Sequence, residues 1–392
     1  MGGHHSHGPR HAASGESRTP LVAWLVIVPI ALLTLGAMAW LWPSDEAVPD
    51  QQQSSAEQYE GSVTSVQREE CTEQLEDDVN GCGSAVVRLD QVVDGERDVT
   101  VPLPNGAGAP EVADGDDVVL VAIDSPDGQT YTIVDHQRGR GLWVLVAAFS
   151  LALVAFGRWR GLMALAGLGV TFGLLLLFVV PAILAGEPPL LVAIVGSAAV
   201  MLTVLYLTHG PALSTTVALL GTLASLTLTG LLSWLAVAGL HLTGITDDIS
   251  GSVAMSQGVD TRGLLLAGIV IGSLGVLDDV TITQSATVTE LARANPSYGA
   301  RQLYRAASRV GRAHIASVVN TIILAYAGSS LPLLILIVAA DDSLGNVLTD
   351  QVIAQEIVRS AVATIGLIAA VPITTGLAAL GFRRRQPAPR PD

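Results

Sequence analysis

The sequence predicts a mainly α-helical, polytopic membrane protein of about eight transmembrane helices, with a small all-β domain of the OB type between the first and the second. Three observations predict it. Long apolar runs raise the mean hydropathy to +0.52 and the apolar content to 50% of 392 residues. Residues 43–137 break that pattern, with 22 of the 35 acidic residues and only Arg68, Arg88 and Arg97 against them, a net charge of −19. Inside this acidic block, short β-branched runs alternate with turn residues.

A span needs roughly 20 apolar residues to cross a hydrocarbon core of about 30 Å. Residues 21–42, 141–157, 161–185, 188–208, 212–240, 262–285, 314–340 and 357–382 meet that requirement. The predicted organisation is a cytoplasmic tail (1–20), an anchor span (21–42), an acidic β domain (43–140), a seven-helix membrane domain (141–382) and a basic, Pro-rich tail (383–392). The first span is expected to be retained. Ala37-Met38-Ala39 also fits a signal-peptide cleavage site, which is the alternative. The N-terminal tail carries His4, His5, His7 and His11 and reads as disordered, with metal binding as the second reading.

Arginine placement orients the chain. There is no lysine; all 20 basic residues are Arg. Arg158 and Arg160 follow span two, Arg293, Arg301, Arg305, Arg309 and Arg312 follow span six, and Arg383, Arg384 and Arg385 follow span eight. Eight crossings put all three groups on one face, opposite Glu187, Asp247, Asp248, Asp341, Asp342 and Asp350. Arginine excess marks the cytoplasmic side, so both termini are expected in the cytoplasm and residues 43–140 outside. Arg138 and Arg140, at the outer end of span two, are exceptions. The acidic block argues against nucleic acid as a partner; the bilayer is the expected one.

Val63–Val66, Ala85–Leu89, Val99–Leu103, Val118–Ile123 and Tyr131–Val134 read as strands, with turns at Asp94-Gly95, Asp114-Gly115-Asp116 and Asp127-Gly128. Five short strands suit a small OB-type barrel, a fold that carries no function by itself. Cys71 and Cys82 are the only cysteines. Outside the cytoplasm they are expected to form a disulfide; two free thiols are the alternative.

Span six holds the sharpest feature, Asp278-Asp279 in an apolar run. A carboxylate at the membrane centre costs about 2.5–3.5 kcal/mol on the lenient insertion scale, and such groups mark function by default. Neighbouring helical residues point about 100° apart, so the two need not share a site. Helical spacing aligns Asp279, Thr283, Ala286, Thr287 and Glu290 in one stripe toward the cytoplasm, suited to proton exchange or to hard-cation coordination by oxygen. The plainer reading places Asp278 at the interface and pairs Asp279 with an Arg or a helix end.

Span seven adds Ser317, Asn320 and Thr321 on one face, with His314 and Tyr326 beyond them; they serve interhelical hydrogen bonding or line the same cavity. Pro181, Gly328-Ser-Ser-Leu-Pro332 and Pro372 are candidate helix breaks, a device of transporter binding sites. Glu356 and Arg359 have the spacing of an intrahelical pair. Between spans six and seven, a break at Asn295-Pro296-Ser297 precedes a basic amphipathic helix. Arg301, Arg305 and Arg312 share its face, as ordinary loop charge or for contact with anionic headgroups. No phosphate-binding Gly loop, zinc-protease helix or nucleophile elbow is present, so an enzyme is not expected.

Spans six and seven resemble the YibE/F family of bacterial membrane proteins. The residues that carry the resemblance are Gly272-Ser-Leu-Gly-Val-Leu-Asp-Asp279, Glu290-Leu291, Val310-Gly-Arg312 and Asn320-Thr-Ile-Ile-Leu-Ala-Tyr-Ala-Gly328-Ser-Ser-Leu-Pro332. The layout of anchor, β domain ending in Tyr131-Thr-Ile-Val-Asp135, and membrane block is similar too, and the resemblance covers roughly residues 57–340. Members often carry Asp after the Gly-Arg pair, where this chain has Ala313. The resemblance implies the bacterial cytoplasmic membrane and a motif at Asp279, without a substrate.

These readings converge on a permease or ion-coupled transporter for a small solute or ion. Asp279 would bind the proton or cation and Asp278 tune it. Thr283, Thr287, Glu290, Asn320 and Thr321 would line the path, with Arg312, His314 and Tyr326 gating or coupling. No cofactor beyond a proton or cation is implied, and an oligomer is compatible. The alternatives are a non-transporting envelope protein whose outer domain binds a partner, and an intramembrane enzyme.

Overall fold

The computed structural model describes residues 19–43, 57–69, 71, 79–93, 96–106, 108–125, 128–245, 248–332, 334–335 and 344–382. The histidines of the N-terminal tail, Asp94-Gly95, Asp127, Asp247, Asp341, Asp342 and the tail 383–392 lie outside the described residues. The chain forms two compact units, one of Asp50–Arg158 and one of Met1–Pro49 with Trp159–Asp392. Helix α2 (Gly139–Gly157) has no buried residue and falls within the first of these units.

In the first unit, β1 (Gln58–Glu69), β2 (Cys82–Val93), β3 (Glu96–Pro102), β4 (Asp117–Ser125) and β5 (Gly128–His136) form one antiparallel sheet in the order β3-β2-β1-β4-β5. All five expected strands are present and most are longer than their apolar runs. The central strand β1 pairs with both β2 and β4, with Val63 opposite Val87 and Gly61 opposite Val118. The outer strands β3 and β5 also approach each other. Alternate residues Val63, Val87, Leu89, Val101, Val118, Leu120 and Ile133 fill the core. This is the period-2 burial of a sheet with one apolar face.

Polar ties close the ends of the sheet. Asn80 is buried; its amide donates to the carbonyls of Pro104 (2.6 Å) and Pro110 (2.8 Å) and its Oδ1 accepts from Val112 N (2.8 Å). Cys71 and Cys82 form a disulfide, with Cα atoms 5.1 Å apart. Next to it, Gly83 has φ +137°, and a Cβ there would run into the Gln67 carbonyl oxygen; only glycine fits so close a strand crossing. Arg138 bonds Asp135 (2.7 Å) and Arg140 pairs with Asp117 (3.4 Å), so the two arginines that broke the charge pattern are both neutralised locally.

The second unit is helical: α1 (Thr19–Trp40), α3 (Trp159–Leu184), α4 (Pro189–His209), α5 (Leu213–Gly239), the short α6 (Asp248–Gln257), α7 (Thr261–Ala294), α8 (Ala300–Ser329), the short α9 (Leu344–Thr349) and α10 (Gln351–Phe382). Among the described residues, seven helices of the chain, α2 included, are long and apolar enough to cross a membrane. The first of the eight expected spans is represented by a shorter apolar stretch in α1, Trp24–Trp40, with a tryptophan at each end as at membrane interfaces.

Three expectations about these helices change. The seventh span, expected at 314–340, is α8 at Ala300–Ser329: nothing between Arg312 and His314 interrupts the helix, so the basic segment is its first half. Pro181 bulges α3 instead of breaking it. A π-helical turn, Leu175–Val179, precedes it and absorbs the carbonyl that the proline ring displaces. Pro372 lies inside an unbroken α10.

Helices α4, α5, α7 and α10 surround the main core, built on Met201, Leu219, Leu226, Leu277 and Leu367, and α8 packs on α7 and α10. Small residues set the contacts. A Cβ on Gly366 or Gly221 of one helix would run into Thr229 or Thr374 of the other, so α5 and α10 touch backbone to side chain. Close approach through small residues is how helices associate where lipid removes the hydrophobic drive.

Candidate functional site

The site lies in the hairpin of α7 and α8. Asp260 caps α7, its carboxylate accepting from the backbone N–H of Arg262 and Gly263 (3.1 Å each). The chain breaks at Asn295–Gly299, as the Pro296 signal predicts. Gly299 N donates to Gln302 Oε1 (2.9 Å) at the start of α8.

Asp278 and Asp279 diverge. Asp278 is partly buried, and its Oδ1 has neither solvent contact nor a hydrogen-bond partner. The Asp279 side chain is 68% exposed, and its Oδ2 is 3.7 Å from Nε2 of His314 on α8. That distance makes a charge contact, too long for a hydrogen bond. The stronger candidate in sequence, Asp279, is thus the exposed member, and its neighbour is the inward one.

Depth follows from contacts along α7. Ser285 Oγ donates to Ser214 O in the first turn of α5 (2.8 Å). Asp279 stands six residues further into the bundle, about 9 Å at 1.5 Å per residue. The carboxylates therefore sit well inside the bundle, near the middle of α7. Thr281 Oγ1 contacts both Asp278 O (3.1 Å) and Thr222 Oγ1 of α5 (2.6 Å), which ties the carboxylate turn to the core.

The stripe below Asp279 exists, but on the outer face of α7: Ala286 and Glu290 are exposed, Thr283 and Thr287 partly so. Thr287 Oγ1 bonds Thr283 O (2.8 Å) and Glu290 pairs with Arg293 (2.8 Å). Asn320 and Thr321 are exposed on α8, and Thr321 bonds its own helix at Ser317 O (3.2 Å). The structure does not bring these two to the carboxylates.

Tyr326 sits higher on α8, its hydroxyl 3.3 Å from where a Cβ on Gly272 would stand. It lines a cavity of about 560 Å³ with Glu356, which pairs with Arg359 (2.8 Å). Arg312 lines a different cavity of about 460 Å³ between α8 and α10, away from Asp279. No group of three His, Cys, Asp or Glu side chains fit to hold a metal ion occurs among the described residues.

Sequence reasoning missed the buried polar layer behind the carboxylates. Gln284 donates to Ala307 O (3.0 Å) and Thr375 Oγ1 (2.7 Å), joining α7, α8 and α10. Thr222, Ser225, Thr229 and Ser233 of α5 are fully buried, each donating to the carbonyl four residues back. Their intervals of three, four and four residues along α5 were a readable signal of a packed helix face.

Seven long apolar helices, small-residue helix contacts and an ionisable constellation inside the bundle define a polytopic helical membrane protein. The YibE/F-like protein family matches residues 145–384, more than half of the chain, and the protein belongs to that family. The match starts within α2, beyond the β domain, and extends through α10, so it covers the last helix that the resemblance left out. Comparison with curated proteins and with solved structures gives no match.

Proposed function

We propose that this protein is a permease or a proton- or cation-coupled transporter of the bacterial cytoplasmic membrane, working through the carboxylates of α7. The observation that carries the reading is Asp278 Oδ1, enclosed and without a donor, beside the Asp279–His314 contact. A carboxylate oxygen shut away from water and unpaired is unfavourable as a bare anion, and a proton or a cation relieves it. Asp278 is then the binding group. The Asp279–His314 contact spans two helices and senses whether that group is loaded, so loading alters the α7–α8 seam. The family match supports a role in the membrane block, since the β domain lies outside it.

The arginine pattern supports cytoplasmic termini and an outer β domain. The strand order, with β1 between β2 and β4 and with β3 near β5, supports an OB-like reading of that domain. Its acidity favours cations near the membrane surface. Purified protein in proteoliposomes, with a pH-sensitive dye inside, tests the proposal. Proton or cation flux is expected in the parent and lost in Asp278→Asn. Equal flux in parent, Asp278→Asn and Asp279→Asn defeats it. A β domain that retains cellular function on an unrelated single span supports the partner-binding alternative instead.

A further inference from the structure

The cavity of about 460 Å³ between α8 and α10 is lined by Tyr304, Ser308, Arg312 and Ile315 of α8 and by Ile368 and Pro372 of α10, among others. Its wall is two-faced. One end presents a guanidinium and two hydroxyls; the rest is aliphatic. Ser308 is only 8% exposed and its Oγ has no hydrogen-bond partner. Arg312 is exposed and has no ion-pair partner among the described residues, and neither have Arg305 and Arg309, which follow the same side of α8 at helical spacing. Gly311 packs on Gln284, and the next residue, Ser285, bonds the first turn of α5. Arg312 therefore stands on the arginine-rich half of the bundle, at about the level of Gln284 and Val371.

We propose that this cavity is a binding site for an anionic phospholipid. Arg312 takes the phosphate, which accepts further hydrogen bonds from Ser308 Oγ and the Tyr304 hydroxyl. Arg305 and Arg309 add positive potential, and an acyl chain lies along Ile315 and Ile368. The unpaired guanidinium and the buried, unused hydroxyl gain partners in the same event. Basic pockets between helices on the cytoplasmic side suit acidic headgroups, and bidentate geometry suits arginine to phosphate. The aliphatic wall selects a lipid over a free phosphate ester. This site is independent of the carboxylates and of the transport reading.

Native mass spectrometry of the delipidated full chain tests it, with phosphatidylglycerol, phosphatidylcholine and glycerol phosphate as probes. Phosphatidylglycerol is expected to bind at least tenfold more tightly than phosphatidylcholine, with glycerol phosphate too weak to register. Arg312→Gln is expected to abolish the preference and Arg312→Lys to keep part of it. Ala316→Trp, which fills the cavity and leaves Arg312 in place, is expected to remove the tight site. Asp278→Asn is expected to bind the lipid as the parent does. Equal affinity for the two lipids, tight binding of glycerol phosphate, or a preference that survives both Arg312→Gln and Ala316→Trp overturns the assignment.

Discussion

Asp279 of α7 and His314 of α8 meet across the seam of their hairpin, Oδ2 to Nε2 at 3.7 Å. The contact joins two helices that are otherwise held by Gln284 and by apolar packing. His314→Gln is expected to lower proteoliposome flux, with the helix content unchanged. Asp279→Asn and the double variant are expected to give the same reduced flux, since each removes the same contact. A flux in His314→Gln equal to the parent's would falsify a role for the pair.

Gly366 and Thr229 test the packing of α10 on α5. A Cβ on Gly366 would run into Thr229 Oγ1, and overpacking a tight core costs about 1–3 kcal/mol. Gly366→Ala is expected to lower the melting temperature in detergent, and adding Thr229→Ala to restore much of it. A Gly366→Ala protein that melts with the parent shows that the helices are not in this contact.

The β domain depends on its local ties. The Cys71–Cys82 disulfide closes a segment with sequence separation 11, and disulfides typically contribute about 2–4 kcal/mol. Reductant or paired Cys→Ser replacement is expected to lower the unfolding midpoint of this unit. The intact protein should show no free thiol to a maleimide until it is reduced. Asn80→Ala removes three hydrogen bonds and leaves Val112 N buried without an acceptor, at a cost of about 1–3 kcal/mol. Denaturant titration with a probe on the β domain reads both changes.

Acid behaviour is specific at the Asp135–Arg138 pair. The Arg138 side-chain hydrogen bond, then the backbone N–H of His136, hold the Asp135 carboxyl below its ordinary value of 3.8. A depressed folded-state value means that the contribution is present above 3.8 and is lost as pH falls through the lowered value. ¹³C-carboxyl NMR of aspartate-labelled protein is expected to place Asp135 below 3.8 and Arg138→Gln to move it upward. The pair is exposed, so salt is expected to shrink the effect. A titration that ignores the substitution removes Arg138 as the cause.

Much of this molecule was legible in the sequence. Apolar runs of spanning length located the helices, and alternating β-branched runs located all five strands, because both patterns report directly on a solvent: lipid around a helix, a half-buried face in a sheet. Pro296 placed the hairpin turn, and i, i+3 spacing paired Glu356 with Arg359. Helix ends were less legible. Arg312 reads as the end of a loop helix, yet the backbone runs on through His314, since charge alone does not stop a helix.

Direction around each helix was decided only by the tertiary structure. Asp278 and Asp279 are adjacent in sequence, and their divergence of about 100° is a property of any helix. Which of them turns inward depends on how α7 rotates against α5, α8 and α10. That rotation is set by contacts with small residues on the neighbours: Gly311 against Gln284, Thr222 against Thr281, Thr375 against Gln284. Asn320 and Thr321 share a face with one another in sequence, but only packing turns that face outward, away from the carboxylates. The sequence by itself determined that a carboxylate pair exists inside a membrane bundle. The close contacts of glycine, serine and threonine on other helices determined that Asp278 is the enclosed one and that Asp279 meets His314.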